Sequence, residues 1–106
     1  MAKDLKFCEL LELYGKLLTP RQLEIMSFYY FEDYSLSEIG LNLSIDRQTV
    51  KTIIKRAETV LVEYEDKLNL LEKFNKISGI AEKMNSVSDK SQINNFLDEI
   101  IKITRE

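Results

Sequence analysis

Apolar side chains return at every third or fourth position along most of this 106-residue chain, and only one proline and three glycines interrupt them. That spacing lines one face of an α-helix, whereas a strand would need strict alternation. The fold class it predicts is all-α. Leu5, Cys8, Leu11, Tyr14 and Leu18 mark a first amphipathic helix from about residue 3 to 17. Thr19-Pro20-Arg21-Gln22 then starts a second. Thr is the cap, Pro takes the first helical position, and Gln stands where a capping box needs it. This helix runs through Leu23, Ile25, Met26, Tyr29 and Tyr30 and is expected to end near Asp33-Tyr34. Its run Phe28-Tyr29-Tyr30-Phe31 covers more faces than one buried side can use, so some rings must meet other segments or a partner.

Residues 35 to 56 carry the one pattern with a mechanism. Ser35 and Glu38 stand at capping-box spacing, and Leu36, Ile39 and Leu43 share the face of a short helix. A tight turn is expected at Ser44-Ile45, with Asp46 as N-cap of the next helix. There Val50, Ile53, Ile54 and Ala57 form the apolar face. The candidate nucleic-acid-binding residues are Arg47, Gln48, Thr49, Lys51, Thr52, Lys55 and Arg56. Two short helices joined by such a turn, the second bearing long polar donors, form the unit that reads a DNA major groove.

Beyond residue 46 the apolar period continues through Val60, Leu61, Tyr64, Leu68 and Leu71, which predicts one helix from Arg47 to Leu71 or further. Phe74, Ile77, Ile80, Ala81 and Met84 mark a fifth helix that Gly79 would weaken or bend. Ile93, Phe96, Leu97, Ile100 and Ile101 mark a sixth, after a loop at residues 85–89 and a cap at Ser88 or Asp89. The organisation expected is a helix-turn-helix core over residues 1–62, sigma-like or winged-helix-like, and a C-terminal helical extension over 63–106. The extension either wraps onto the same chain or pairs with a second copy to make a homodimer, and the periodicity suits both.

The net charge of −3 is informative once divided. Residues 1–43 carry four basic and seven acidic side chains, and residues 58–106 carry seven and ten. Residues 44–57 carry four basic and one acidic. Positive charge therefore gathers on the segment that carries the reader pattern, while the acidity around it opposes general adhesion to DNA. The chain has no histidine, one cysteine and no glycine-rich phosphate loop, which removes the usual general base, zinc clusters and nucleotide loops. No enzymatic activity, metal or cofactor is expected. Cys8, among Phe7, Leu10 and Leu11, reads as a small buried hydrophobe in a reducing compartment. With no basic-then-apolar leader and no span near twenty apolar residues, the expected location is cytoplasmic.

Leu18-Thr19-Pro20-Arg21-Gln22, Tyr29-Tyr30, Asp33 through Ile39, Arg47-Gln48-Thr49-Val50 and Ile54 through Glu58 together resemble the YlxM family of small bacterial helix-turn-helix proteins. More distantly, residues 18–61 are similar to the promoter-reading C-terminal domain of sigma-70 factors. The resemblance implies a role in or over the signal recognition particle pathway, since YlxM-like proteins are typically encoded beside its genes. Its implied partners are DNA and the particle's protein, RNA or GTPases. Three positions depart from the family. Ser44 stands where glycine is common in the turn, Gly40 where a small alanine is usual, and Leu41 where a polar residue is normal. Glycine inside a helix costs up to about 1 kcal/mol, so these changes predict a softened reader or a surface that meets protein.

Two functions follow. In the first, a DNA-binding regulator brings Arg47, Gln48, Lys51 and Thr52 to base edges and Lys55 and Arg56 to phosphates. In the second, an adaptor docks the same basic face on the signal recognition particle or its GTPases without reading DNA sequence.

Overall fold

A computed structural model describes residues 3–106, all of whose regular elements are helical. They are α1 (Leu5–Tyr14), α2 (Pro20–Tyr30), α3 (Leu36–Leu43), α4 (Arg47–Leu68), α5 (Leu70–Asn85) and α6 (Lys90–Thr104). They fall into two compact units that meet between Leu68 and Asn69. The sequence placed that boundary at 62/63. The apolar period carries α4 six residues further, and Asn69 then takes a left-handed conformation (φ 54°) that stops it short of the expected Leu71.

In the first unit α4 packs against α1, α2 and α3. Leu10, Leu11 and Tyr14 of α1, Ile25 and Met26 of α2, Ile39 of α3 and Val50, Ile54, Ala57 and Leu61 of α4 form the core. Burying each large aliphatic chain contributes about 1.5–3 kcal/mol, which is what holds helices of eight to eleven residues that would be marginal alone. Both capping boxes form. Thr19 and Gln22 exchange backbone and side-chain hydrogen bonds at 3.1 and 3.2 Å, and Ser35 and Glu38 do so at 3.1 Å. The end of α1 tightens into a 3-10 turn over Gly15–Leu17, inside the predicted first helix.

α2 stops at Tyr30, earlier than predicted. Asp33 is left-handed (φ 58°), and the amides of Phe31, Glu32 and Tyr34 fold back onto carbonyls of Ser27 and Phe28. The aromatic run divides its rings among neighbours. Phe28 stacks on Tyr34 at 5.1 Å, and Tyr29 lies under the Lys3 ammonium at 3.9 Å. Tyr30 packs on Phe7 and donates its hydroxyl to Glu58 of α4, while Phe31 stays half exposed. Cys8 is half-buried rather than buried, its thiol 3.8 Å from the Tyr30 carbonyl oxygen.

In the second unit α5 and α6 form an antiparallel hairpin. Lys73 Nζ donates to the Glu106 carbonyl at 2.8 Å, tying the start of one helix to the end of the other. Gly79 lies inside an unbroken α5, and Asp89 caps α6 by accepting from the Ser91 amide at 2.9 Å.

Candidate nucleic-acid interface

The geometry of the helix-turn-helix rests on three residues between α3 and α4. Ser44 closes α3 in the left-handed conformation (φ 58°, ψ 42°), and the Ile45 amide donates to the Gly40 carbonyl at 3.0 Å. Such a conformation costs an L-residue about 1–2 kcal/mol, and serine bears it here. A Cβ on Gly40 would stand 2.7 Å from the Ile45 carbonyl oxygen. Gly40 is therefore not merely a weak helix former. Its missing side chain is the space into which the turn folds, so the softening expected at this position is corrected by a close backbone approach. Beside it lies an open depression of about 530 Å³ lined by Ser37, Gly40, Leu41, Ser44, Ile45 and Arg47, with Leu41 84% exposed at its edge.

Asp46 sets the start of α4. Its Oδ1 accepts from the Thr49 amide at 2.8 Å and its Oδ2 from the Thr49 hydroxyl at 2.9 Å. The amide bond, then the hydroxyl bond, holds the carboxyl below its ordinary 3.8, as befits an anion at a helix N-terminus. Thr49 thereby commits both donors to the cap. Thr52 is half-buried, and its hydroxyl donates to the Gln48 carbonyl at 3.0 Å. Arg47, Gln48, Lys51, Lys55 and Arg56 are exposed. The ion pairs found among the described residues, Lys3–Asp33, Arg21–Glu24 and Glu72–Lys76, take up none of these cations.

Successive residues of a helix turn by about 100°, so Lys51, Lys55, Gln48, Thr52 and Arg56 fall in one arc opposite the stripe of Val50, Ile54, Ala57 and Leu61. Residues 47–56 hold four cations and no acid. Residues 57–68 hold Glu58, Glu63, Glu65 and Asp66 against Lys67 alone. Where the sign changes, Phe7, Lys55, Glu58, Thr59, Val62 and Glu63 line a second open groove of about 400 Å³ between α1 and α4. The sequence signalled the arc, since charge and period are both readable. It did not signal the depression beside Gly40, although Gly40, Leu41 and Ser44, which line it, each stood out as a departure from the family pattern.

No group of three or more His, Cys, Asp or Glu among the described residues could hold a metal ion, and no helix is long and apolar enough to cross a membrane. Fold and site together define a small all-helical helix-turn-helix protein with a basic start to its second motif helix. The family described as helix-turn-helix proteins, YlxM / p13 like (UPF0122), matches residues 1–101, and the chain belongs to it. A UPF0122 protein of Clostridium kluyveri is 41% identical over 100 residues, covering 94% of this chain and 82% of that one. One from Halalkalibacterium halodurans is 44% identical over 88 residues, 83% of this chain and 81% of its own. One from Bacillus thuringiensis is 36% identical over 102 residues, covering 95% and 93%.

Proposed function

We propose that the chain is a cytoplasmic, non-catalytic DNA-binding regulatory protein of the signal recognition particle pathway, which enters the major groove with the first three turns of α4. The observation that carries this reading is the segregation of charge along one helix. Four exposed cations follow directly on a helix-turn-helix turn, and four acids follow them. Phosphates attract the first half and are repelled by the second, so the duplex is met by the N-terminal end of α4 rather than along its length. Arg47, Gln48 and Lys51 are the base-edge candidates, and Lys55 and Arg56 the phosphate contacts. Thr49 and Thr52 act through the helix, with their hydroxyl donors engaged on Asp46 and Gln48. The pathway assignment is supported by the YlxM resemblance, and self-association through the C-terminal helices belongs to the same reading.

A second reading is favoured by Leu41. An exposed leucine beside Arg47 suits contact with a protein or ribonucleoprotein surface, so the basic arc would dock on the particle or its GTPase. A pull-down from native cytosol at physiological salt, with and without nuclease, separates the two. A defined DNA fragment, lost on DNase treatment and on Lys51→Ala, is the expected result. Recovery of the particle's protein or RNA from both nuclease arms, with no DNA, would replace the first reading by the second.

A further inference from the structure

The C-terminal hairpin has two amphipathic helices and too little core to use them. Its only buried side chains are Ile80 of α5 and Ile103 of α6, both 8% exposed. A unit of 38 residues with two buried aliphatic side chains lies below the size at which a single chain buries enough surface to be stable unaided. The surplus is specific. Phe74 is 50% exposed, Leu97 43% and Ile101 49%.

These three side chains share one side of the hairpin. At about 100° per residue, Phe74 lies roughly 120° around α5 from Ile80. Leu97 and Ile101 lie roughly 120° and 160° around α6 from Ile103. Because the helices run antiparallel, equal rotations away from their shared seam turn both apolar edges to the same face. α5 ends at Asn85 and α6 begins at Lys90, so Phe74, eleven residues before the one end, stands level with Ile101, eleven after the other, with Leu97 about one turn away. Between this edge and the seam lie the half-buried Ile77, Ile93 and Ile100.

Charge selects the occupant. Residues 69–106 carry six basic and six acidic side chains, so the hairpin is electroneutral, whereas residues 1–68 carry nine and twelve. An electroneutral face attracts neither DNA nor a strongly charged protein, and a second copy meets it without like-charge repulsion. Half-exposed side chains of this size leave about 100 Å² each in water, so three supply about 300 Å² per copy. The half-buried isoleucines raise this to at most about 500 Å² of apolar surface, and the polar side chains around it supply the rest of the ~800 Å² that each partner of a stable complex buries. We infer that the face formed by Phe74, Leu97 and Ile101 is where a second copy of this chain docks, the two hairpins closing a four-helix bundle. The inference rests on the self-association proposed above and assigns it a surface.

Sedimentation equilibrium of the full chain tests it, beside Phe74→Glu/Ile101→Glu and a control, Leu17→Glu, at a similarly exposed leucine of the first unit. The expected result is a dimer for the wild type and the control, and a monomer of unchanged helical circular dichroism for the double variant. Should the charged pair lose helicity, Phe74→Ala/Leu97→Ala is read instead, with at least tenfold weaker dimerisation expected. A wild type that stays monomeric at ~100 μM, far above the micromolar affinity of an ordinary specific complex, overturns both the self-association and its surface. A dimer that survives both double variants overturns the surface and leaves the self-association standing.

Discussion

Replacing Gly40 by alanine sets helix propensity against geometry, and the structure says which wins. In a helix interior that replacement is ordinarily worth about 1 kcal/mol of stability. Here the new Cβ would stand 2.7 Å from the Ile45 carbonyl oxygen, where ordinary contact begins near 3.4 Å. The obstructing atom belongs to backbone and has no rotamer to escape by. Ile45 must shift by several tenths of an ångström, which strains its 3.0 Å hydrogen bond to Gly40 and the left-handed Ser44 between them. Overpacking of this kind costs about 1–3 kcal/mol, and weakening the turn hydrogen bond up to about 1 more. Set against the propensity gain, the net loss spans about 0–3 kcal/mol and centres on about 1.5 kcal/mol. At roughly 4–8 °C per kcal/mol for a unit of this size, that centre predicts a midpoint lower by about 6–12 °C in thermal unfolding followed by circular dichroism. A midpoint equal to or above the wild type would mean that propensity dominates and that the close approach does not shape the turn.

Gly79→Ala should do the opposite. Nothing lies within 4 Å of a Cβ there, inside an unbroken helix, so urea denaturation should show a gain of about 0.5–1 kcal/mol in the C-terminal unit. Asp46→Asn keeps the cap but removes a carboxyl whose folded pKa lies below 3.8. The unfolded chain binds the proton more tightly, so the wild-type contribution is present above that value and lost as pH falls through the lower folded one. The variant's acid unfolding curve should therefore be shallower below about pH 4, and an unchanged curve would remove the Thr49 bonds from the account. Tyr30→Phe should cost about 0.5–1.5 kcal/mol by removing the hydroxyl's bond to Glu58. Burial, then that bond to a carboxylate, raises the Tyr30 pKa well above 10, so its stabilisation is present below pH 10 and fades in stronger alkali. Tyrosinate absorbance should accordingly show that Tyr30→Phe removes a tyrosine that ionises only with unfolding.

Features governed by residues three or four apart were legible without coordinates. Thr19 with Gln22, Ser35 with Glu38 and Asp46 ahead of Arg47 announce their helix starts because a cap is a local bond. The basic arc was legible for the same reason, since one helical period and the three charges of Lys51, Lys55 and Arg56 place it. Features set by backbone conformation were not. Leu68 and Leu71 continue the apolar period across Asn69, so nothing in the pattern marks the left-handed residue that ends α4. Asp33 turns the chain with the same left-handed conformation, three residues after α2 ends at Tyr30 and two before the Ser35 cap. Gly40 was misread because propensity concerns a residue's own helix, while its use depends on a carbonyl five residues ahead. Thr49 looked like a free donor until both bonds to Asp46 were visible.

On the proposed reading, duplex DNA is held by the basic first half of α4. Fluorescence anisotropy with a labelled duplex, titrated across salt for the wild type and for Lys55→Ala/Arg56→Ala, tests it most directly. Each phosphate contact contributes about −0.9 to the slope of log affinity against log salt, so the double variant should be shallower by about 1.8. Identical slopes for the two proteins, or no salt-dependent binding by either, would contradict the claim.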